Sequence, residues 1–175
     1  MWSPWRSAYV SDAKDRDLED DVSLFTALLN EERDDETLIL WRGDLVFVIM
    51  NRHPYNNGHL LIIPYREVTA YDALEPDEQQ SLAAAIDRCM GWLRAALSPD
   101  GFNVGMNLGR AAGAGIPDHL HAHVVPRWDG DTNFMPTTAD TKVLPEDLQT
   151  TYEKLRTQMS DAARRSTKPR VRENP

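Results

Sequence analysis

An α+β fold, with an antiparallel sheet of about five strands covered on one face by two main helices, is predicted by three features of this sequence. Five apolar runs of strand length, Leu38–Trp41, Leu45–Met50, His59–Ile63, Phe102–Met106 and His119–Val125, are bounded by turn residues. The connections around the second and third runs are short, which suits hairpins rather than βαβ crossovers. Two further stretches repeat apolar residues at helical spacing, so the sheet is expected to carry helices on one side.

Taken in order, the chain opens with an irregular arm over residues 1–18, anchored by Trp2, Trp5 and Tyr9. A short helix is expected over Asp20–Leu29. The first two strands are separated by Arg42-Gly43-Asp44, the second and third by a loop ending in Asn56-Asn57-Gly58. A long helix starts at Pro76, where Asp77 and Glu78 complement the positive end of the helix dipole. Its residues Leu82, Ile86, Cys89, Leu93 and Leu97 fall on one face, so Cys89 reads as a core thiol rather than a nucleophile. Pro99-Asp100-Gly101 turns the chain into the fourth strand. A second helix begins at Pro145-Glu146-Asp147, with Leu148, Tyr152, Leu155, Met159 and Ala162 on one stripe. The chain therefore divides into an arm and short helix over 1–37, a catalytic domain over 38–162, and a basic tail over 163–175.

At 175 residues, with 41% hydrophobic and 27% charged side chains, this is a single globular domain. No apolar run approaches the roughly 20 residues that cross a bilayer, so no membrane partner is expected. The first 20 residues carry Asp12, Asp15 and Asp17 in place of an apolar signal segment. One cysteine excludes a disulfide framework and any multi-cysteine metal site, and a cytoplasmic location is expected. The net charge is -9, although residues 163–175 carry five basic side chains against one acidic. A body that acidic repels a polyphosphate backbone, which argues against a nucleic-acid partner. A small anionic ligand stays open, because backbone N–H groups can hold a phosphate chain. The tail reads as a solvated end.

All five histidines lie in two places. His119, His121 and His123 alternate along one run, so an extended chain turns all three to one face; His59 opens another run, after His53 in the preceding loop. Three readings fit: a solvated polar face, a three-histidine metal site with an open position, or nucleophilic catalysis on phosphorus by one imidazole with others handling protons. Against the metal reading, no acidic residue follows the triplet until Asp129. Upstream, Gly109–Pro117 is rich in Gly and Ala, which permits close backbone approach to phosphates.

The segment His119-Leu120-His121-Ala122-His123-Val124-Val125-Pro126 resembles the signature of the histidine triad family of nucleotide hydrolases and transferases. Asn51-Arg52-His53-Pro54 with Gly58-His59-Leu60-Leu61-Ile62-Ile63-Pro64 resembles that family's first hairpin, and Asn107-Leu108-Gly109 its phosphate loop. Gly113–Met135, the arm Trp2–Tyr9 and Pro145–Leu155 are most similar to the bacterial branch related to diadenosine polyphosphate hydrolases and phosphorylases. The resemblance implies that His121 is the nucleophile attacking an α-phosphorus, forming a nucleotidyl-histidine. It implies that His123 serves the leaving oxygen, while His119 and His59 orient the imidazoles. Asn51 would bind ribose; Asn107 and the backbone of Gly113, Ala114, Gly115 and Ile116 would bind phosphate oxygens. By alternation Ile49 and Leu61 share the histidine face and would line a slot for the base. The expected substrate is a dinucleoside polyphosphate, cleaved or transferred, with phosphorolysis as the alternative and a weakly active nucleotide-binding module as a third; no cofactor is expected, and a homodimer is.

Two departures from the family pattern stand out. Many bacterial members bind structural zinc through a Cys-x-x-Cys, a histidine after the Gly-His strand, and the first triad histidine. Here Ser23-Leu24-Phe25-Thr26 and Glu67 occupy the first three of those places, and hydroxyls are poor zinc donors. No metal ligand is therefore expected. In the loop, Ala114-Gly115 stands where hydrolytic relatives often carry Gln and some phosphorylases Ser, which leaves the acceptor of the second step open.

Overall fold

The computed structural model describes residues 22–133, 135 and 143–166, with side chains described as far as residue 160. The arm residues Trp2, Trp5 and Tyr9 and most of the basic tail lie outside the described residues. Helix α1 (Leu24–Asn30) and a single turn α2 (Asp34–Thr37) precede strands β1 (Ile39–Arg42), β2 (Val46–Met50) and β3 (Leu60–Pro64). Helix α3 (Pro76–Leu97) leads to β4 (Gly101–Met106) and β5 (Ala122–Arg127), and helix α4 (Leu148–Ser166) follows. The helix α2 has no counterpart in the sequence reading, since four residues are too few to show a period.

The sheet has five strands in the order β1-β2-β3-β5-β4, every pair antiparallel. Strand β5 enters between β3 and β4, so the triad segment lies inside the sheet rather than at its rim. Trp41 packs edge-on against Trp92, and Arg94 lies over Phe102, which fixes the face covered by α3. On that face sit Val48, Leu60, Ile62 and Val124, packed with Leu82, Ala85, Cys89 and Leu93 into one core. Burial pushes the Cys89 thiol's pKa up, as a core role requires. Helix α3 begins with Pro76 at its first turn and a capping box between Glu75 and Glu78. Helix α4 docks beside β1: the Tyr152 hydroxyl donates to the Ile39 carbonyl at 3.0 Å, and Arg156 to the Leu40 carbonyl at 3.1 Å.

One strand is shorter than the sequence suggests. The alternation in His119–Val125 predicts an extended run throughout, yet β5 starts at Ala122. The reason lies in its neighbours. Ile62 on β3 and Met106 on β4 both pair with Ala122, and neither neighbour continues the ladder past it. Pro64, at the end of β3, has no N–H to offer. Beyond Met106 the chain turns away through Gly109, whose φ of +77° suits glycine. Residues 119–121 are held instead by separate contacts, among them the Leu120 N–H to the Val68 carbonyl at 2.6 Å.

Leu120 is buried in the core between the two histidines that flank it. Leu120→Ala is expected to cost about 2–5 kcal/mol of stability, the usual range for truncating a buried leucine. Urea unfolding would measure it, and a change below about 1 kcal/mol would place Leu120 outside the core.

Candidate active site

The histidines gather where β3 and β5 run side by side. Leu61 pairs with His123 and with Ile49, and His123 pairs in turn with Gly105, so these four share one cross-strand row. His59 lies two residues before Leu61 on the same face. The His59 and His123 ring centroids are 5.1 Å apart, and those of His121 and His123 5.0 Å. His119, His121, His123 and His59 are all buried.

Their protonation follows from partners that can act in only one sense. The His119 carbonyl is an acceptor only, so at 2.9 Å it takes a hydrogen bond from His121 Nδ1–H. A neutral His121 therefore keeps its lone pair on Nε2. The Tyr55 N–H is a donor only, and it reaches His59 Nδ1 at 3.1 Å, with the Asn51 amide nitrogen 3.3 Å from the same atom. His59 then carries its proton on Nε2 and donates it to His123 Nδ1 at 2.9 Å. That leaves the His123 proton on Nε2. The arrangement gives a bare nitrogen on His121 and an N–H on its neighbour.

Burial favours the neutral form of His59, His121 and His119. Desolvation pushes His59 down to about 3, aided by the adjacent His123 and His121. It also holds His121 and His119 below the ordinary histidine value, although each gains something back from a backbone carbonyl.

His119 is clamped at both ends. Its Nε2–H donates to the Pro64 carbonyl at 2.8 Å, and its Nδ1 accepts from the Ser23 hydroxyl at 2.6 Å. Ser23 also caps α1, accepting from the Thr26 N–H at 3.2 Å. Glu67 accepts from the Ser23 N–H at 3.1 Å and from the Thr26 hydroxyl. Those bonds hold the Glu67 carboxyl below its ordinary range. The zinc that the family resemblance implies does not fit this donor set. Only the carboxylate and the imidazole are ordinary zinc donors; the two hydroxyls are not, and a structural zinc takes four donors. Among the described residues no group of three His, Cys, Asp or Glu side chains is arranged to hold a metal.

The remaining expected residues fall around the histidines with different degrees of closeness. Asn107 and His121 are the next residues out from the last pair, Met106 with Ala122. The loop after Asn107 contains a 3-10 turn over Arg110–Ala112 and a left-handed Gly113, with φ +88°. Within it the Gly113 N–H bonds to the Arg110 carbonyl at 3.0 Å, and the Ala114 N–H to the Gly109 carbonyl at 3.3 Å. Among the described residues no backbone carbonyl takes the N–H of Gly115 or Ile116. Ile49 and Leu61 are only 4% and 5% exposed, so a base meets their outer edges at most. Asn51 is tied to its own loop, its Oδ1 accepting from the His53 N–H at 2.9 Å. Arg127 is turned away from the histidines at the far end of β5, bonded to Asp131 and Asn103.

Two residues near the rings carry no sequence signal. The Tyr55 ring stacks on His123 with centroids 5.6 Å apart, and the Phe25 ring meets His119 and His121 edge-on at 5.7 and 5.2 Å. Ser23 is recoverable as a helix cap from Ser-x-x-Thr before an apolar run. Its bond to His119, 96 residues away, is not.

The model of the HIT domain matches residues 32–130. The chain belongs to the HIT family. It is similar to the AP-4-A phosphorylase of Mycobacterium tuberculosis, 39% identical over 162 residues that cover 90% of this chain and 83% of that protein. It is also 30% identical over 93 residues to the bis(5'-nucleosyl)-tetraphosphatase [asymmetrical] of Schizosaccharomyces pombe, covering 53% of this chain and 50% of that one. In fold it resembles a Zn-bound histidine triad family protein from Mycobacterium smegmatis, with TM-score 0.66, 24% identity, and 82% of this chain and 96% of that chain covered. The α+β architecture with a five-stranded antiparallel sheet is thus that of the HIT fold. No described helix is long and apolar enough to cross a membrane.

Proposed function

We propose that this HIT protein transfers a nucleoside monophosphate from a dinucleoside polyphosphate, such as diadenosine tetraphosphate, to inorganic phosphate. The observation that carries the reading is the bare Nε2 of a neutral, buried His121 beside an N–H on His123. A nucleophile on phosphorus needs the first, and a leaving oxyanion needs the second.

In the first step His121 Nε2 bonds to the α-phosphorus and the bond from that phosphorus to its bridging oxygen breaks. With diadenosine tetraphosphate the leaving group is ATP, its new terminal oxygen taking the hydrogen bond or proton of His123 Nε2–H. His59, fixed by Tyr55 and Asn51, replenishes polarity on His123 Nδ1. In the second step an oxygen of phosphate attacks the nucleotidyl-His121, the phosphorus–nitrogen bond breaks, and ADP leaves while His123 recovers its proton from the incoming phosphate. Asn107 and the N–H groups of Gly115 and Ile116 face phosphate oxygens in this reading, with Gly113 and Ala114 shaping the turn. Ile49 and Leu61 touch the base, and Asn51 the ribose. The likeness to the mycobacterial AP-4-A phosphorylase over most of both chains supports phosphate as the acceptor.

The shorter likeness to a tetraphosphatase supports a second reading, in which water is the acceptor. We also infer a homodimer in the cytoplasm. Strand β4 is a sheet edge whose Val104 is 45% exposed, and such edges are commonly covered by a second chain.

Product analysis with diadenosine tetraphosphate, with and without inorganic phosphate, tests the assignment. ADP plus ATP, formed only when phosphate is present, is the expected result. AMP plus ATP regardless of phosphate makes the protein a hydrolase. Nucleotide binding without any product that depends on His121 makes it a binding module.

A further inference from the structure

Residues 119–121 carry two of the three triad histidines but have no place in the sheet ladder, because both flanking strands stop pairing at Ala122. Outside the ladder, the segment keeps one backbone anchor, at Leu120, and its histidines depend on side-chain contacts as well. The peptide that bears the His119 carbonyl, which sets the tautomer of His121, is anchored at its other end by the Leu120 N–H to the Val68 carbonyl at 2.6 Å, which leaves the His119 side of it to be held.

The first turn of α1 supplies the second anchor, at the His119 ring. Ser23 grips His119 Nδ1 while Pro64 grips Nε2, so that ring has no freedom to flip or turn. Phe25, two residues on, rests edge-on against both His119 and His121. Thr26 and the Ser23 N–H are tied to Glu67, which follows β3 by three residues and joins the helix turn to the sheet. We propose that Ser23, backed by Thr26 and Glu67, is a positioning residue for the transfer reaction, holding His119 so that its carbonyl fixes His121 with the proton on Nδ1 and the lone pair on Nε2. In the family resemblance these same places hold a metal. Here a closed hydrogen-bond cluster joins them, and its consequence is that a hydroxyl, rather than an ion, holds Nδ1 of the first triad histidine.

The inference rests on the reading of His121 as the nucleophile, so its test includes a readout that needs no substrate. Ser23→Ala is expected to lower kcat with diadenosine tetraphosphate about 10- to 100-fold, the range for a misplacement of up to about 1 Å at a reacting group, with KM within twofold. Nitrogen-15 NMR of the histidines should show one His121 tautomer in the unmodified protein and a mixture in Ser23→Ala. Ser23→Thr, which keeps the hydroxyl, should restore both kcat and the single tautomer. Wild-type kcat and a single tautomer in Ser23→Ala overturn the proposal while leaving the nucleophile intact. A kcat loss that only tracks the unfolded fraction, with the His121 tautomer unchanged, overturns it too. Should Ser23→Ala fail to fold, Glu67→Ala decides, since Glu67 is exposed and lies outside the core: mixed His121 tautomers support the brace, and a single one ends it. Should His121→Ala retain full turnover, the catalytic reading fails by itself, and the tautomer spectra still report whether the brace exists.

Discussion

His121→Ala is expected to abolish turnover, by a factor on the order of 10⁴–10⁶ as for removal of other covalent nucleophiles, while the protein stays folded and binds nucleotide. The ring is buried against Phe25 and His123, with its Nδ1 tied to its own chain two residues back, so truncation removes the proposed reacting atom and two ring contacts rather than an aliphatic core side chain. Its loss leaves His123 with a proton to give and nothing to make the leaving group leave. The adduct itself is the sharper measurement. Acid is the wrong quench, because a phosphoramidate hydrolyses faster once its imidazole is protonated. A rapid denaturing quench at alkaline pH should preserve one added nucleotide on the peptide ending at Arg127, absent from the His121→Ala protein. An adduct on His119 or His123 would show that the roles are misassigned. Wild-type turnover by His121→Ala would remove covalent catalysis altogether.

The histidine cluster was legible because its information is local and chemical. Three imidazoles at period two on one segment, and a Gly-His opening another, have few uses, and the fold merely brings them together. The sheet was legible for a similar reason: apolar runs, turn residues and short connections are statements about neighbours in sequence. What escaped depends on where other strands end. Nothing within His119–Val125 says that β3 and β4 stop pairing at Ala122, so the run looks extended to its start. The same holds for Tyr55, whose N–H decides the tautomer of His59 only because the Asn51–Gly58 loop folds back over that ring. In the sequence Ser23 and Glu67 stand out only as replacements of the expected metal ligands; what they do instead is a matter of geometry between segments 44 residues apart.

The neutrality that the proposed chemistry requires also predicts how the fold responds to acid. His59 is wholly buried, and its folded pKa is pushed down to about 3, against an unfolded value of 6.5. Between those values the unfolded chain binds a proton that the folded chain refuses. Linkage then requires stability to fall as pH drops from 6.5 toward 3, by about 1.4 kcal/mol per pH unit for this residue alone. Lowered values at His121 and His119 act with the same sign. The carboxylates whose folded values are depressed, Glu67 and Glu78 among them, add their loss only below about pH 4.5, so the window from 6.5 to 4.5 isolates the histidines. Urea unfolding at pH 7.5, 6 and 5 should show a midpoint that is level above neutrality and declines steadily below it. His59→Asn, which cannot take up a proton, should flatten that decline. Superimposable curves at pH 7.5 and 5 would mean that the imidazoles are solvated and titrate normally. In that case His121 would be protonated near pH 6 like any surface histidine, and kcat/KM would fall below that pH. A buried, neutral cluster instead keeps its nucleophile available to lower pH than a surface histidine would, and the acid limb of kcat/KM is set by the lowered pKa of His121.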